Sequence, residues 1–402
     1  MKVLIVSQYF WPETFRINDL ANELHNKGFE IEVLTGIPNY PSGNYYKGYS
    51  FFSHTRDIYN GIKIHRVPIV SRGKGKGFRL SLNYLSFVFY ASLFVLFSRK
   101  KYDITFTFAV SPITQALPAL LHKKLYKSTS IIWIQDLWPE SITAAGKIKN
   151  PYILRQLLRM VQFIYRYADK ILIQSEAFET SVLEKNCVKE KIYYLPYWAE
   201  DLFLDNSLIE NGKNSTILPS GFKIMFAGNI GEAQDFESII KAAEITKDKH
   251  EIKWIIIGDG RKKIWAESEV KRRNLQSTVH FLGRSPIEDM PSFFKQSDIM
   301  LITLKNEPIF TLTIPSKVQS YMAFGKPILA MMNGIGSQIV DEAQCGYTVS
   351  AGDYADLANK AMIAFDETKE NLLIKGNNAK KYYFKNFSKE ILLEKLINIL
   401  TT

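Results

Sequence analysis

Three apolar runs in the second half of the chain each end on glycine. Phe222–Ala227 enters Gly228-Asn-Ile-Gly231, Trp254–Ile257 enters Gly258-Asp-Gly-Arg261, and Val279–Leu282 enters Gly283-Arg-Ser-Pro286. Each run has the length of a buried strand, and helix-forming sequence follows the first turn from Phe236 to Ile245. This alternation predicts parallel strands joined by right-handed helical crossovers, hence a doubly covered α/β sheet. A strand ending in glycine lets a ligand approach the backbone. The candidate binding positions are therefore Gly228, Asn229, Gly231, Gly258, Gly260 and Gly283. One such turn is common; three in register are specific.

The next stretch, Glu307 to Ala330, reads as strand end, loop, short helix, turn and strand. Pro315 suits the first helical position, Gly325 the residue past the end, and Pro327 blocks continuation. Position 314, where the cap would fall, is Ile314 rather than a capping residue. The first amides are then free for an outside anion, with Ser316 and Lys317 beside them, which is the arrangement of a phosphate site. An ordinary turn with a solvated lysine fits the same residues.

The first half has the same alternation. Lys2–Ser7 is a strand, a helix runs from about Ile17 to Lys27, and Ile31–Leu34 is the second strand. Loops at the carboxyl ends of such strands carry ligand sites, which nominates Glu13, Thr14 and Arg16, with Asn39 and Tyr40 after the second strand. Ser130–Ile134 ends in Gln135-Asp-Leu-Trp-Pro-Glu-Ser141, so Asp136 or Glu140 stands where it can deprotonate an acceptor hydroxyl. Either could equally cap the following helix. At 402 residues the chain should form two domains. We place them at 1–204 and 222–381, with a linker at 205–221 and a last helical segment at 382–402.

Two distant cysteines and six scattered histidines give neither a disulfide framework nor a metal spacing, so the expectation is a cytoplasmic, metal-independent protein. The net charge of +11 calls for an anionic partner, and no nucleic-acid motif accompanies it. Between Ile58 and Tyr102 there are nine Lys or Arg and no acidic residue. Arg72, Lys74, Lys76 and Arg79 precede the aromatic run Leu85–Phe97, and Arg99, Lys100 and Lys101 follow it. The run reads as too short to span a bilayer. It describes either a core helix or, as we prefer, a face from Arg72 to Lys101 lying on anionic lipid.

The stretch Pro315-Ser-Lys-x-x-x-Tyr-Met-Ala-x-Gly-Lys-Pro-Ile328 resembles the donor-diphosphate segment of glycosyltransferase family 4. Phe-Ala-Gly-Asn-Ile-Gly, Ile-Gly-Asp-Gly and Phe-Leu-Gly-Arg precede it in the family's order, and the resemblance covers nearly the whole chain. Asp136-Leu-Trp-Pro-Glu140 resembles the L-fucosamine transferases of bacterial O-antigen and capsule clusters. The resemblance implies a GT-B fold, two Rossmann-like domains facing across a cleft with the last helix returning to the first. It implies transfer, without a metal cofactor, of N-acetyl-L-fucosamine or a related sugar from a UDP-sugar to a polyprenyl-diphosphate-linked acceptor. This would serve O-antigen, lipopolysaccharide or capsule assembly on the inner face of the cell membrane. By resemblance, Arg261 and Arg284 lie near the nucleotide, Thr311 or Thr313 near the diphosphate, and Gln319 or Ser320 near the ribose. Three family features differ. Glu13-Thr14-Phe15 replaces a Gly-Gly pair, Gln234 a lysine, and Leu312 and Ser320 a pair of glutamates. A UDP-sugar 2-epimerase of the same architecture and a catalytically silent partner subunit are the other readings. A nicotinamide dehydrogenase is disfavoured, because no G-x-G-x-x-G follows the first strand.

Overall fold

The structure, a computed structural model, describes residues 1–402 except 54, 74, 76, 145–149 and 205–217. Lys74, Lys76 and most of the expected linker lie outside the described residues. The chain divides into two compact units, Met1–Leu195 with Leu396–Thr402, and Pro196–Lys395. Ala199, Phe203 and Leu218 are buried in the core of the second unit.

The second unit holds a six-stranded parallel sheet. Its strands are β9 (Phe222–Ala227), β10 (Ile252–Ile257), β11 (Val279–Gly283), β12 (Ile299–Thr303), β13 (Ile328–Met331) and β14 (Gly346–Val349). Their order, β11-β10-β9-β12-β13-β14, reverses direction between β9 and β12. Both faces are covered, and the side chains alternate accordingly. Ile224, Phe226, Trp254, Ile256 and Leu301 fill one face, while Met225, Ile255, Ile257, Met300 and Ile302 fill the other. A strand buried on both sides must be apolar throughout, which is why these segments were legible as unbroken runs.

The first unit is built likewise on eight strands: β1 (Lys2–Val6), β2 (Glu30–Gly36), β3 (Arg56–Tyr59), β4 (Ile62–Val67), β5 (Ile104–Ala109), β6 (Thr129–Ile134), β7 (Lys170–Ile173) and β8 (Ile192–Tyr194). They are ordered β3-β4-β2-β1-β5-β6-β7-β8. All pairs are parallel except β3 with β4, an edge hairpin that the sequence reading did not contain. Its turn residues, Asn60 and Gly61, both have positive φ. Within this unit Lys170 Nζ donates to Ile399 O at 2.6 Å, tying the end of the last helix, Lys389–Thr401, to the foot of β7.

Helix Gly77–Ser98 corrects one expectation. It is a single element of 22 residues, long and apolar enough to cross a membrane by length and composition. Yet Leu80, Asn83, Phe87, Ala91 and Val95 form a buried stripe, and the last three pack into the sheet core with Leu4, Val6 and Leu34. The opposite face exposes Phe78, Leu85, Phe89, Leu96 and Phe97. A helix with one side committed to a sheet core cannot be surrounded by lipid.

Candidate functional site

In the second unit the loops after β9, β10 and β11 interlock through their backbones. Gly228 N donates to Ile257 O at 2.9 Å, Gly258 N to Gly283 O at 2.7 Å, and Ile230 N to Asp259 O at 2.8 Å. A Cβ on Gly258 would stand 1.8 Å from Gly228 O, and one on Gly260 would stand 2.3 Å from Ile230 O. The glycines therefore serve first to let three turns touch, and the rim they form is continuous. Asn229 is exposed on this rim, as are Arg261 and Arg284, which have no carboxylate partner among the described residues.

Helix Ser316–Phe324 points its start at this rim. Pro315 is the cap rather than the first helical residue, one position from the expectation, because its φ of −64° and ψ of 132° are extended. No side chain caps the helix, and Gly325 closes it in the left-handed conformation at φ 82°. The helix is fixed by Tyr321, which is fully buried. Its hydroxyl accepts from Ala227 N at 3.1 Å and donates to Ala227 O at 3.2 Å, at the last residue of β9. One turn earlier on the same helical face stands Lys317.

Lys317 Nζ lies 3.7 Å from the centroid of the Phe226 ring. A Cβ on Gly228 would come within 2.7 Å of its Cε, so the lysine folds over the glycine turn. Among the described residues no carboxylate pairs with it. Burial pulls its ammonium down from the usual lysine range to about 7. The attraction of a ring face is worth about 0.5–2 kcal/mol. Such a displacement corresponds to a desolvation cost of a few kcal/mol, so desolvation wins. An unpaired, desolvated ammonium beside free helix amides is a prepared place for an anion.

Other expected residues have different surroundings. Gln319 is completely buried, and its amide nitrogen is oriented onto Pro315 O at 3.0 Å and Ser316 O at 3.3 Å, so it supports the helix start and does not face a ligand. Ser320 Oγ donates to Glu200 Oε2 at 3.2 Å, which brings a carboxylate from the preceding segment beside it. The Thr311 and Thr313 hydroxyls donate to Pro308 O at 2.8 Å and Ile309 O at 2.9 Å, within their own turn. Ser316 remains exposed at the helix start.

In the first unit the loops again gather at the carboxyl ends of the strands. Asp136 Oδ2 accepts from Ser111 N at 3.0 Å and Ser111 Oγ at 2.8 Å, and Trp138 Nε1 donates to the same hydroxyl at 3.1 Å. Glu140 is instead committed to Lys185 at 2.5 Å and Ser181 at 2.9 Å, a strut between neighbouring helices. That engagement occupies one oxygen of the second candidate for the acceptor base. Glu13 is buried, and its Oε1 accepts from Asn39 N at 2.7 Å and Tyr40 N at 2.6 Å. Burial pushes its carboxyl up to about 7, with those amides opposing. Glu13 and buried Asn39 thus shape the loop after β2, while Thr14 and Tyr40 are exposed and Arg16 is half-buried.

The sequence reading missed Tyr9, Ser111 and Glu200, and it placed Arg72 and Tyr84 on a lipid face. Gln8 Nε2 donates to Asn83 Oδ1 at 2.8 Å, and Asn83 Nδ2 to Val70 O at 2.6 Å. This buried net anchors the first turns of helix Gly77–Ser98 to the loop after β1 and accompanies the inward turn of Arg72 and Tyr84. Burial raises the Tyr84 phenol, and Arg72, Asp136 and Tyr9 are its electrostatic neighbours. Aromatic residues within a basic stretch gave no sequence signal to separate the two faces.

Residues 210–382 match the family described as glycosyl transferases group 1. WbjE of Pseudomonas aeruginosa, named a probable glycosyltransferase, is 29% identical over 282 residues, 66% of each chain. WcaI of Escherichia coli K12, a glycosyl transferase assigned by name to colanic acid biosynthesis, is 24% identical over 337 residues, 81% of this chain and 82% of that protein. The crystal structure of Anabaena Alr3699/HepE in complex with UDP superposes with a TM-score of 0.72 at 14% identity, covering 100% of both chains. Two doubly wound units, an uncapped helix start with its lysine, and these relatives agree: the chain is a glycosyltransferase of GT-B fold whose residues 210–382 match the glycosyl transferases group 1 model.

Proposed function

We propose that the protein transfers a sugar from a UDP-sugar to a polyprenyl-diphosphate-linked acceptor during assembly of a surface polysaccharide such as O-antigen or capsule. The observation that carries this reading is Lys317, an ammonium held over Phe226 without a counter-ion beside the uncapped helix start. The diphosphate of the donor supplies the missing charge. As the glycosidic bond to the donor breaks, charge grows on the leaving diphosphate, and Lys317 with the Ser316 and Lys317 amides stabilises it without rearrangement. Arg261 and Arg284, exposed on the same rim, approach the nucleotide. Asp136, oriented by Ser111, takes the proton of the acceptor hydroxyl. These cations serve in place of a metal ion, so chelation should leave transfer intact. The relative bound to UDP supports the nucleotide, and the relative named for colanic acid supports the pathway class. N-acetyl-L-fucosamine, suggested by the Asp136–Glu140 stretch, is the first sugar to try.

Calorimetry with UDP, GDP, dTDP and NAD, without added metal, tests the donor. Selective binding of UDP is expected, and an NAD response in its place would sink the assignment. In the same preparation Asp136→Asn should bind UDP as the parent does and transfer at least about 100-fold more slowly. Equal losses in binding and transfer would make Asp136 structural.

The acceptor is delivered from the cytoplasmic face of the membrane, on which the outer side of helix Gly77–Ser98 lies. Phe89 is 58% and Phe97 78% exposed, whereas Phe94 packs on His65 at 4.9 Å. The double change Phe89→Ser, Phe97→Ser should weaken sedimentation with anionic liposomes at least about tenfold, at about 1.5–3 kcal/mol for each buried phenylalanine. Unchanged sedimentation would refute the lipid face.

A further inference from the structure

We propose that Arg72 is the centre of an anion pocket in the first unit that grips the diphosphate of the lipid-linked acceptor. This deepens the reading of that unit as the acceptor side and rests on it. Arg72 Nη1 donates to Tyr9 OH at 3.1 Å, and its guanidinium lies 5.0 Å from the Tyr40 ring and 5.8 Å from the Tyr9 ring. Tyr40 packs tilted against Phe15 at 5.2 Å, and Tyr9 stacks on Phe15 at 5.1 Å. The guanidinium is thus held against two rings that Phe15 supports.

The backbone beneath it is equally fixed. Arg72 N donates to Asn39 Oδ1 at 3.1 Å, and Gly73 N to Gly43 O at 2.9 Å. Arg79 holds Ser71 through its carbonyl at 3.0 Å and its hydroxyl at 2.7 Å. Gly43 allows the close approach: a Cβ there would stand 1.6 Å from Gly73 O.

The contrast with a second arginine is in its counter-ion. Arg66, another guanidinium among aromatic rings, pairs with Asp57 at 3.3 Å. Arg72 has no carboxylate partner among the described residues. The nearby acids are engaged elsewhere, Glu13 with two amides and Asp136 with Ser111. A guanidinium held by one hydrogen bond and two rings, with most of its N–H fork open, matches the oxygens of a phosphate. Six residues on, Phe78 is 78% exposed and begins the apolar outer face of its helix. A ligand with a diphosphate head and a hydrocarbon tail fits both features of this segment; a free phosphate uses only one.

The test uses the full chain carrying Lys317→Ala, which silences the donor diphosphate site. Farnesyl diphosphate, farnesol and inorganic pyrophosphate are titrated below the micellar range. Farnesyl diphosphate should bind at least about tenfold more tightly than either fragment, and Arg72→Gln should lower its affinity at least about tenfold. Arg72→Lys should restore only part, since an ammonium lacks the planar fork. If Arg72→Gln fails to fold, Tyr40→Leu takes its place with a loss in the same direction. Equal affinity in the folded variant, or equal affinity of the parent for farnesol, overturns the pocket. UDP binding to the wild-type chain is read separately. Farnesyl diphosphate binding without UDP binding supports the pocket and overturns only the UDP-sugar donor reading.

Discussion

Lys317→Met should make the unliganded protein more stable and abolish its affinity for UDP. Both effects share one cause. The ammonium is desolvated, lacks a counter-ion among the described residues, and is balanced only by the Phe226 face at 3.7 Å. A methionine keeps the length and volume, removes the charge, and retains a favourable sulfur–ring contact of about 0.3–1.5 kcal/mol. We expect a gain of roughly 1–3 kcal/mol, by analogy with replacing buried ions by apolar residues. Transfer should fall about 10²–10³-fold, the usual cost of removing one preorganised group from a developing oxyanion. A loss of stability together with unchanged UDP binding would show that the lysine is a structural element.

The same residue sets a pH dependence. Its folded-state value is depressed to about 7 against 10.5 for an ordinary lysine. Between these values the unfolded chain holds the proton and the folded chain does not, so this group makes stability rise with pH across that window. Below about pH 7 both states are charged and the desolvation cost is fully present. Diphosphate binding needs the ammonium. UDP affinity should therefore decline as pH rises above about 7, and binding at pH 8 should take up a proton. Comparing calorimetric enthalpies in buffers of different ionisation heat reads that proton directly. Lys317→Met should remove both the uptake and the stability slope.

Gly258→Ala should have the second large effect. Its φ of +143° is a backbone conformation that L residues rarely adopt, and the new Cβ would stand 1.8 Å from Gly228 O. Strain of about 1–3 kcal/mol adds to a similar cost for forcing the turns apart. A loss of about 3 kcal/mol or more in the unfolding transition of the second unit is expected. Gly352→Ala is the control: its φ is +86°, but a Cβ there meets nothing within 4 Å. It should cost about 1–2 kcal/mol. Equal losses at the two sites would mean that the interlocked turns are not what holds the donor rim. Because Gly228 carries Lys317 folded over it, Gly258→Ala should also weaken UDP binding in the protein that remains folded.

The candidate donor rim was legible as a structural feature because its signals are local. Gly228, Gly258 and Gly283 terminate unbroken apolar strands, and Lys317 stands beside an uncapped helix start, each within a few residues of chain. Other surroundings are not announced by residue type. Gln319 looks like a free polar side chain until Tyr321 locks the helix to Ala227 and turns position 319 into the interior. Thr311 and Thr313 spend their donors on a turn whose shape is not written in their identity. Glu140 meets Lys185 across forty-five positions of chain.

The sequence by itself determined the two doubly wound α/β units, the glycine strand ends that form the candidate rim, and the lysine at the helix start. It could do so because double burial and backbone geometry restrict residue type directly. Only the tertiary structure decided which charges are already satisfied. It turned Arg72 from a lipid face onto Tyr9 and Tyr40, gave Glu13 to the amides of Asn39 and Tyr40, and brought Glu200 beside Ser320, where the sequence has no carboxylate. Whether a charged side chain meets a partner or stays open for a ligand depends on distances between segments far apart in the chain, and fold packing sets those distances.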